Sequence, residues 1–167
     1  MKEAEQKLTV AFSANKFAER REQASVFEHN LEFAARINRV NYINDSKATT
    51  VEETWNSLNV MTEDITLILG GTDRKSDYGI LKNLVKEKVR AVICLGSERE
   101  RIFKAFMDSA LTVHAQTMEE AVKLAAIIAK PGSTVLFSPG CPSYDAFDNY
   151  KNRGNKFKHL VSAINIQ

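Results

Sequence analysis

The feature that most constrains this chain is a regular alternation of short apolar runs with amphipathic helical patterns. Apolar runs cover residues 65–70, 91–96, 111–115 and 134–139. Between them, apolar residues recur at helical spacing, most clearly over residues 118–128. Because successive strand–loop–helix units fold into a mostly parallel sheet with helices on both faces, the sequence predicts an α/β fold.

Three of the helical patterns begin with the spacing Ser/Thr-x-x-Glu, which is typical of a capping box. In this motif the hydroxyl and the carboxylate satisfy amides that the first helical turn leaves without partners. The pairs are Thr50 with Glu53, Ser97 with Glu100, and Thr117 with Glu120. The spacing therefore predicts helix starts at these three positions.

Two stretches outside the alternation also carry structural signals. The segments LEFAARI and VNYIN flank Asn38-Arg39 and predict a β-hairpin that feeds the sheet, although Arg39 is a poor residue for a tight turn. A last helical pattern runs from about Ser143 to Ile164, with Gly154 as a possible break.

Polar loops follow three of the predicted strands. They are NDSKATT (44–50), GGTDRKSD (70–77) and SPGCPS (138–143). Ligands bind to parallel sheets at the carboxyl ends of the strands, so the sequence predicts a site where these loops meet. The start of the helix after the first loop favours anions, and Lys47 there can neutralise a phosphate or a carboxylate.

The second and third loops offer similar chemistry. Arg74 and Lys75 suit a carboxylate or a single phosphate. Ser143 and the amides after it can hold a carboxylate. A purely structural reading also stays open for each loop, with Asp45 and Ser143 as turn or cap residues and the cations solvated.

The Gly-Gly turn is not a P-loop. With Lys75-Ser76 taken as the final pair of G-x-x-x-x-G-K-[ST], the two glycine positions fall on Leu69 and Arg74. A bulky side chain at Arg74 would stand where the backbone must approach phosphate. The chain therefore does not hold a triphosphate in the P-loop manner.

Charge and cysteine content limit the partners. The formal net charge is only +2, which argues against a nucleic-acid or anionic-membrane partner. No apolar run is long enough to span a bilayer, and the first residues do not look like a signal peptide. The two cysteines, Cys94 and Cys141, match no metal spacing. We expect no metal site in this chain and a reduced, cytoplasmic environment.

Together, the three loops resemble the C-terminal domain of the Mur ligases, in the form of this family that adds D-glutamate. The similarity runs from about His29 to Ile164 and includes NDSKATT, GGTDRKSDY and SPGCPSYDAFDNYKNRGNKF. It implies a Rossmann-like domain over 29–167, preceded at 1–28 by a residual helix or linker of the central domain. It also implies that the N-terminal and central domains supply the P-loop, so that this chain would not catalyse alone.

The resemblance implies a role in an ATP-dependent ligase that joins D-glutamate to UDP-N-acetylmuramoyl-L-alanine in the cytoplasm, with ATP and Mg²⁺ held mainly by the central domain. Lys47 would be catalytic, beside the transferred phosphate and the substrate carboxylate. Five residues would bind D-glutamate: Thr49, Arg74, Lys75, Ser143 and Tyr150. Asp45 and Asn30 would join Lys47 in contacting nucleotide, Asp45 at the ribose.

Some residues depart from the family pattern. The usual His-Arg pair is His29-Asn30, the usual loop lysine is Arg74, and Pro142 stiffens the turn before Ser143. These departures leave an alternative function open, namely a non-catalytic binding or regulatory module on the same fold.

Overall fold

A computed structural model describes residues 28–62, 64–71, 76–143 and 147–164. Within these ranges the chain forms one six-stranded sheet and five α-helices. The strands are β1 (Glu32–Ile37), β2 (Val40–Asn44), β3 (Ile65–Leu69), β4 (Val89–Leu95), β5 (Leu111–Ala115) and β6 (Thr134–Phe137). The helices are α1 (Val51–Val60), α2 (Lys82–Lys88), α3 (Arg99–Phe106), α4 (Met118–Ile128) and α5 (Tyr150–Ser162), and a 3-10 turn, Tyr78–Leu81, precedes α2.

The sheet runs in the order β1-β2-β6-β3-β4-β5. Strand β1 pairs antiparallel with β2, and the other neighbouring pairs of described strands are parallel. The predicted α/β fold with a mostly parallel sheet is confirmed. Residues 1–27 lie outside the described part, so the domain boundary near residue 28 stays a prediction.

The predicted hairpin is confirmed. Ile37 pairs with Val40 across the turn, and Asn38 and Arg39 adopt φ of 50° and 62°. Positive φ at both central residues is the geometry that matches the twist of a two-residue hairpin. Arg39 holds this conformation without the freedom of glycine, which is a local cost of the hairpin.

The core has two layers, one on each face of the sheet. In β3, Leu67 and Leu69 point into a cluster with residues of α1, α2 and α3, whereas Ile68 points into a cluster with α4 and α5. Every residue of β3 is buried. A strand covered on both faces reads as a continuous apolar run, which is the pattern that the sequence displays.

Two of the three predicted helix starts are confirmed. Thr50 forms a complete capping box with Glu53. Thr117 accepts a hydrogen bond from the Glu120 amide, while the Glu120 carboxylate accepts one from the amide of Gln116. Both arrangements fill amides that the first turn leaves unpaired.

The third predicted start, at Ser97, is wrong. Helix α3 begins at Arg99, with Glu98 as its N-cap and no side-chain cap hydrogen bond. The Ser97 hydroxyl instead donates to the carbonyl of Gly71 at 3.3 Å. A tertiary contact with the loop after β3 thus replaces the local cap.

The last helix also differs from its prediction. It begins at Tyr150 rather than near Ser143, because Asn149 is the N-cap and accepts from the Asn152 amide at 2.9 Å. Gly154 does not break it, since the helix runs through to Ser162. A Cβ at Gly154 would overlap the ring of His29, so this glycine allows close packing of the helix on the start of β1.

Candidate functional site

The sheet order brings the three polar loops together. Strand β6 lies between β2 and β3 and is parallel to both, so the loops after these strands leave the same edge side by side. We call this edge, formed by residues 44–50, 70–71 and 138–143, the rim. The chain order of the loops does not reveal this arrangement, because β6 comes last in sequence and sits in the middle.

Main-chain hydrogen bonds join the three loops. The Gly140 amide donates to Ala48 of the first loop at 3.0 Å, and the Gly70 amide donates to Pro139 of the third loop at 2.9 Å. A Cβ at Gly71 would overlap the sulfur of Cys141. The second loop therefore packs backbone against side chain on the third loop, which requires glycine at this position.

Arg153 joins the first and third loops through its side chain. The residue is 3% exposed, and its guanidinium contacts both loops. Nη2 donates to the Ser46 carbonyl at 2.9 Å, and Nη1 donates to the carbonyls of Cys141 at 2.8 Å and Pro142 at 3.2 Å. Sequence reasoning missed this residue. In the sequence, Arg153 lies four residues before Phe157 and eight before Val161, so it falls on the same helix face as these apolar residues. A cation on that face is the signal that could have identified it.

The proposed catalytic and substrate-binding residues lie along the rim, as far as they are described. Lys47 is exposed, and its amide donates to the His29 carbonyl at 2.9 Å. Ser143 ends the described part of the third loop and is buried. Tyr150 opens α5, and its carbonyl accepts from the Ser46 hydroxyl at 2.6 Å. Arg74 and Lys75 lie outside the described residues.

Thr49 is already engaged within the first loop. Its hydroxyl donates to Glu53 Oε2 at 3.1 Å, and its amide donates to the same oxygen at 2.7 Å. A carboxylate ligand at Thr49 would therefore compete with Glu53 for the same donors. The predicted contact of Thr49 with D-glutamate stays a prediction.

Asp45 belongs to the first loop, but its side chain is buried beneath the rim. Its carboxylate accepts hydrogen bonds from the hydroxyls of Ser57 and Ser138, both at 2.6 Å, and from the Leu31 amide at 3.1 Å. The side chain is 1% exposed. Burial raises the pKa of Asp45 to about 6, against the opposing effect of these hydrogen bonds. A ribose hydroxyl cannot reach this carboxylate in the described arrangement, so Asp45 acts here as a structural residue. Its predicted contact with nucleotide stays a prediction.

Asn30 and His29 stand where β1 begins beside the first loop. Asn30 is exposed, whereas the ring of His29 is buried with its Nδ1 2.9 Å from Asn44 Nδ2. Burial lowers the pKa of His29, and the charge of Lys158 acts in the same direction. His29 is therefore a neutral packing residue near neutral pH, and Asn30 is the neighbour that solvent can reach.

A cavity of about 340 Å³ opens beside Ser143. Bare backbone at Gly70, Gly71 and Gly96 forms one wall. Glu119 and Lys156 also line the cavity and form an ion pair. The cavity is large enough for a small ligand, and of its two lining cations, Arg153 and Lys156, the second is paired with Glu119.

No group of three or more His, Cys, Asp or Glu residues in the described part of the chain is placed to hold a metal ion. Burial raises the pKa of the Cys94 thiol to about 12, so this thiol is unreactive at neutral pH. Among the described helices, none is long and apolar enough to cross a membrane.

Comparisons with known proteins point in one direction. The family described as Mur ligase, glutamate ligase domain matches residues 31–141. The chain is 47% identical over 134 residues to a UDP-N-acetylmuramoylalanine–D-glutamate ligase of Chloroherpeton thalassium, covering 80% of this chain and 29% of the relative. It is 48% identical over 135 residues to the protein of the same name from Porphyromonas gingivalis, covering 80% of this chain and 30% of the relative.

A solved structure shares the fold. The murein peptide ligase of Psychrobacter arcticus superposes with a TM-score of 0.56 at 10% identity, over 83% of this chain and 31% of that protein. The chain thus spans about 30% of the length of these three proteins.

Proposed function

The chain belongs to the family of Mur ligase, glutamate ligase domains, and we propose that it is the amino-acid-binding part of an ATP-dependent ligase that joins D-glutamate to UDP-N-acetylmuramoyl-L-alanine. The observation that carries this proposal is the rim. Three loops, far apart in sequence, meet at one sheet edge and bring exposed Lys47 and buried Ser143 to the same edge. The names of the relatives supply the substrate class.

The proposed reaction activates a carboxylate and then transfers it to an amine. ATP phosphorylates the terminal carboxylate of UDP-N-acetylmuramoyl-L-alanine. The amine of D-glutamate attacks the resulting acyl phosphate, and phosphate leaves as the amide bond forms. Negative charge builds up at the acyl phosphate and in the tetrahedral state, and the ammonium of Lys47 would stabilise it.

D-glutamate would be held by residues of all three loops and the start of α5. We propose Ser143, Thr49 and Tyr150 for this role, together with Arg74 and Lys75 of the second loop. The two carboxylates of D-glutamate require donors and cations, which these hydroxyls, Arg74 and Lys75 would supply, and its amine requires an acceptor, which a hydroxyl oxygen can provide.

The remaining parts of the reaction are assigned to other domains of the same protein. ATP and Mg²⁺ would be bound mainly by a central domain that carries the P-loop. Lys47 and Asn30 are exposed beside the first loop and could face the nucleotide, whereas Asp45 would need the rim to open first. We therefore expect this chain alone to bind D-glutamate weakly and not to form the amide. The assembled enzyme would act in the cytoplasm in peptidoglycan synthesis.

An NMR titration of the chain with D-glutamate tests the proposal. We expect amide shifts in residues 44–50 and 138–143 that saturate in the millimolar range, with L-glutamate as the stereochemical control. An Arg74→Met variant should bind D-glutamate more weakly, since it removes one of the cations proposed to hold a carboxylate of the ligand. Shifts scattered over the surface, or none with either isomer, would overturn the proposal.

A non-catalytic binding module is the second candidate. It is favoured by the burial of Asp45 and by the engagement of Thr49 with Glu53, which leave the first loop fewer donors and acceptors for substrates. Adding ADP to the titration separates the two candidates. A ligase domain should show further shifts near Lys47 and Asn30, and a module without nucleotide chemistry should show none.

A further inference from the structure

Arg153 lines the cavity beside Ser143 and donates to carbonyls of the first and third loops, and none of the roles assigned above uses it. We propose that Arg153 is a positioning residue that fixes the spacing between Lys47 and Ser143. This inference rests on the functions proposed for those two residues. The contacts of Arg153 from which it is argued are independent of those functions.

The acceptors of Arg153 explain how it would act. Nη2 binds the carbonyl of Ser46, and Nη1 binds the carbonyl of Pro142. A peptide unit is planar, so fixing the carbonyl of one residue also fixes the amide of the next. The next residues are Lys47 and Ser143. One guanidinium thus orients both peptide units that lead into the proposed site.

A third contact extends this control to the start of α5. Ser46 Oγ accepts from Arg153 Nε at 3.2 Å and donates to the Tyr150 carbonyl at 2.6 Å. The first loop, the third loop and the first turn of α5 are therefore linked through one side chain. Each of the three carries a residue proposed to contact substrate.

The chemistry of arginine suits this place better than that of other cations. The guanidinium is a rigid plane whose donors point in fixed directions, so one side chain can bind carbonyls on two sides. An ammonium is a compact charge on a flexible stem and cannot hold both loops at set angles. Burial of a charge is also expensive, and an apolar residue beside Phe157 would stabilise the helix face more simply. The cost is consistent with a role other than packing.

Arg153→Lys in the 167-residue chain tests the planar fork while keeping the charge. We expect the variant to keep the amide protection of β3 and β4. Without ligand, the amides of Lys47 and Ser143 should shift together, because both peptide units lose their common anchor. The dissociation constant for D-glutamate should rise about tenfold, in line with the effect of small misplacements of binding groups.

The stereochemical preference provides a readout that a purely structural role would not change. Loss of loop positioning should reduce the preference for D- over L-glutamate, whereas general destabilisation should leave this ratio as it is. Lys158→Met is the matched control. Lys158 lies on the same helix but pairs with Glu28 and Glu32, so we expect its affinity and stereochemical ratio to equal those of the wild type.

The outcomes separate the two proposals. If the wild-type chain shows no D-glutamate shifts at the rim, the proposed function fails, and the unliganded amide comparison still decides the positioning role. Wild-type affinity in Arg153→Lys, or amides of Lys47 and Ser143 that stay in place, would overturn that role. If Arg153→Lys does not fold, Ser46→Ala decides in its place. It should shift the amides of Lys47 and Lys151, because the Tyr150 carbonyl shares a peptide unit with the Lys151 amide, and unchanged amides there would count against the inference.

Discussion

The two edges of the sheet use cations in contrasting ways. At the rim, buried Arg153 joins loops that are distant in sequence. At the opposite edge, which we call the base, half-buried Lys88 donates to the carbonyls of Leu58, Asn59 and Met61, where α1 ends. The base also carries the exposed ion pair between Arg90 and Asp64.

The comparison distinguishes a cation that stabilises one helix from a cation that holds two loops of the proposed site in place. Lys88 satisfies the last carbonyls of a helix, a role that water can partly take over. Arg153 sets the relative position of two loops, which water cannot do. We therefore expect substitutions at the base to change stability alone, and substitutions of residues that join the rim loops to each other to change stability and ligand binding together.

The largest effect should follow a rim substitution, Gly71→Ala. Its Cβ would overlap the Cys141 sulfur, so we expect a loss of about 3 kcal/mol of unfolding free energy, measured by urea denaturation. Cys141→Ala in the same chain should recover a large part of this loss. Additive losses in the double variant would contradict the steric explanation.

The base supplies a matched glycine. Gly132 has φ of +95° and nothing within 4 Å of a built Cβ. Gly132→Ala should therefore cost only the strain of that backbone conformation, about 1 kcal/mol. A loss at Gly132 as large as that at Gly71 would remove the contrast between the two edges.

The next effect is a pH dependence that arises from Asp45 beneath the rim. Its pKa is raised from 3.8 to about 6 by burial, so between these values the folded chain binds more protons than the unfolded chain. Stability from this group therefore falls as pH rises through the window from about 4 to 6, by about 2 kcal/mol. Asp45→Asn should flatten the unfolding free energy over this window relative to the wild type, and equal slopes in both proteins would contradict the assignment.

A smaller effect is expected at the base. Lys88→Met keeps the apolar stem but removes three hydrogen bonds, so it should lower the unfolding free energy by about 1–2 kcal/mol. The affinity for D-glutamate should not change. Lys86→Met, exposed on the same helix, is the control for general effects of charge. If Lys88→Met weakens ligand binding and Lys86→Met does not, contacts at the base affect the proposed ligand site.

The smallest effect should come from the other end of α1. Thr50→Ala removes the hydroxyl of the capping box and should cost about 1 kcal/mol. Thr50→Ser keeps the hydroxyl and should recover most of that stability. If Thr50→Ala also weakens D-glutamate binding, the cap belongs to the site as well as to the helix.

The sequence predicted the elements better than their ends. Apolar alternation and two capping boxes located the sheet and the starts of α1 and α4, because these signals are local. The starts of α3 and α5 were predicted wrongly, because a serine near each predicted start looked like a cap. At Ser97 the hydroxyl serves a tertiary partner, and at α5 the cap is Asn149, six residues after Ser143.

The site was predictable only in part for the same physical reason. The rule that ligands bind at strand ends placed the three loops at one edge. It did not reveal that Asp45 would be buried by Ser57 and Ser138, or that Arg153 would reach the loops from a helix. These contacts depend on which residues meet after folding, and no local sequence pattern encodes them.

The link between Ser46 and Arg153 spans 107 residues of chain. During synthesis, the first loop leaves the ribosome long before the helix that anchors it exists. Contacts of such sequence separation form late, since a long stretch of chain must be ordered to close them. A nascent chain can thus hold its hairpin and much of its sheet while the proposed D-glutamate site is still unformed, and only translation of α5 completes it.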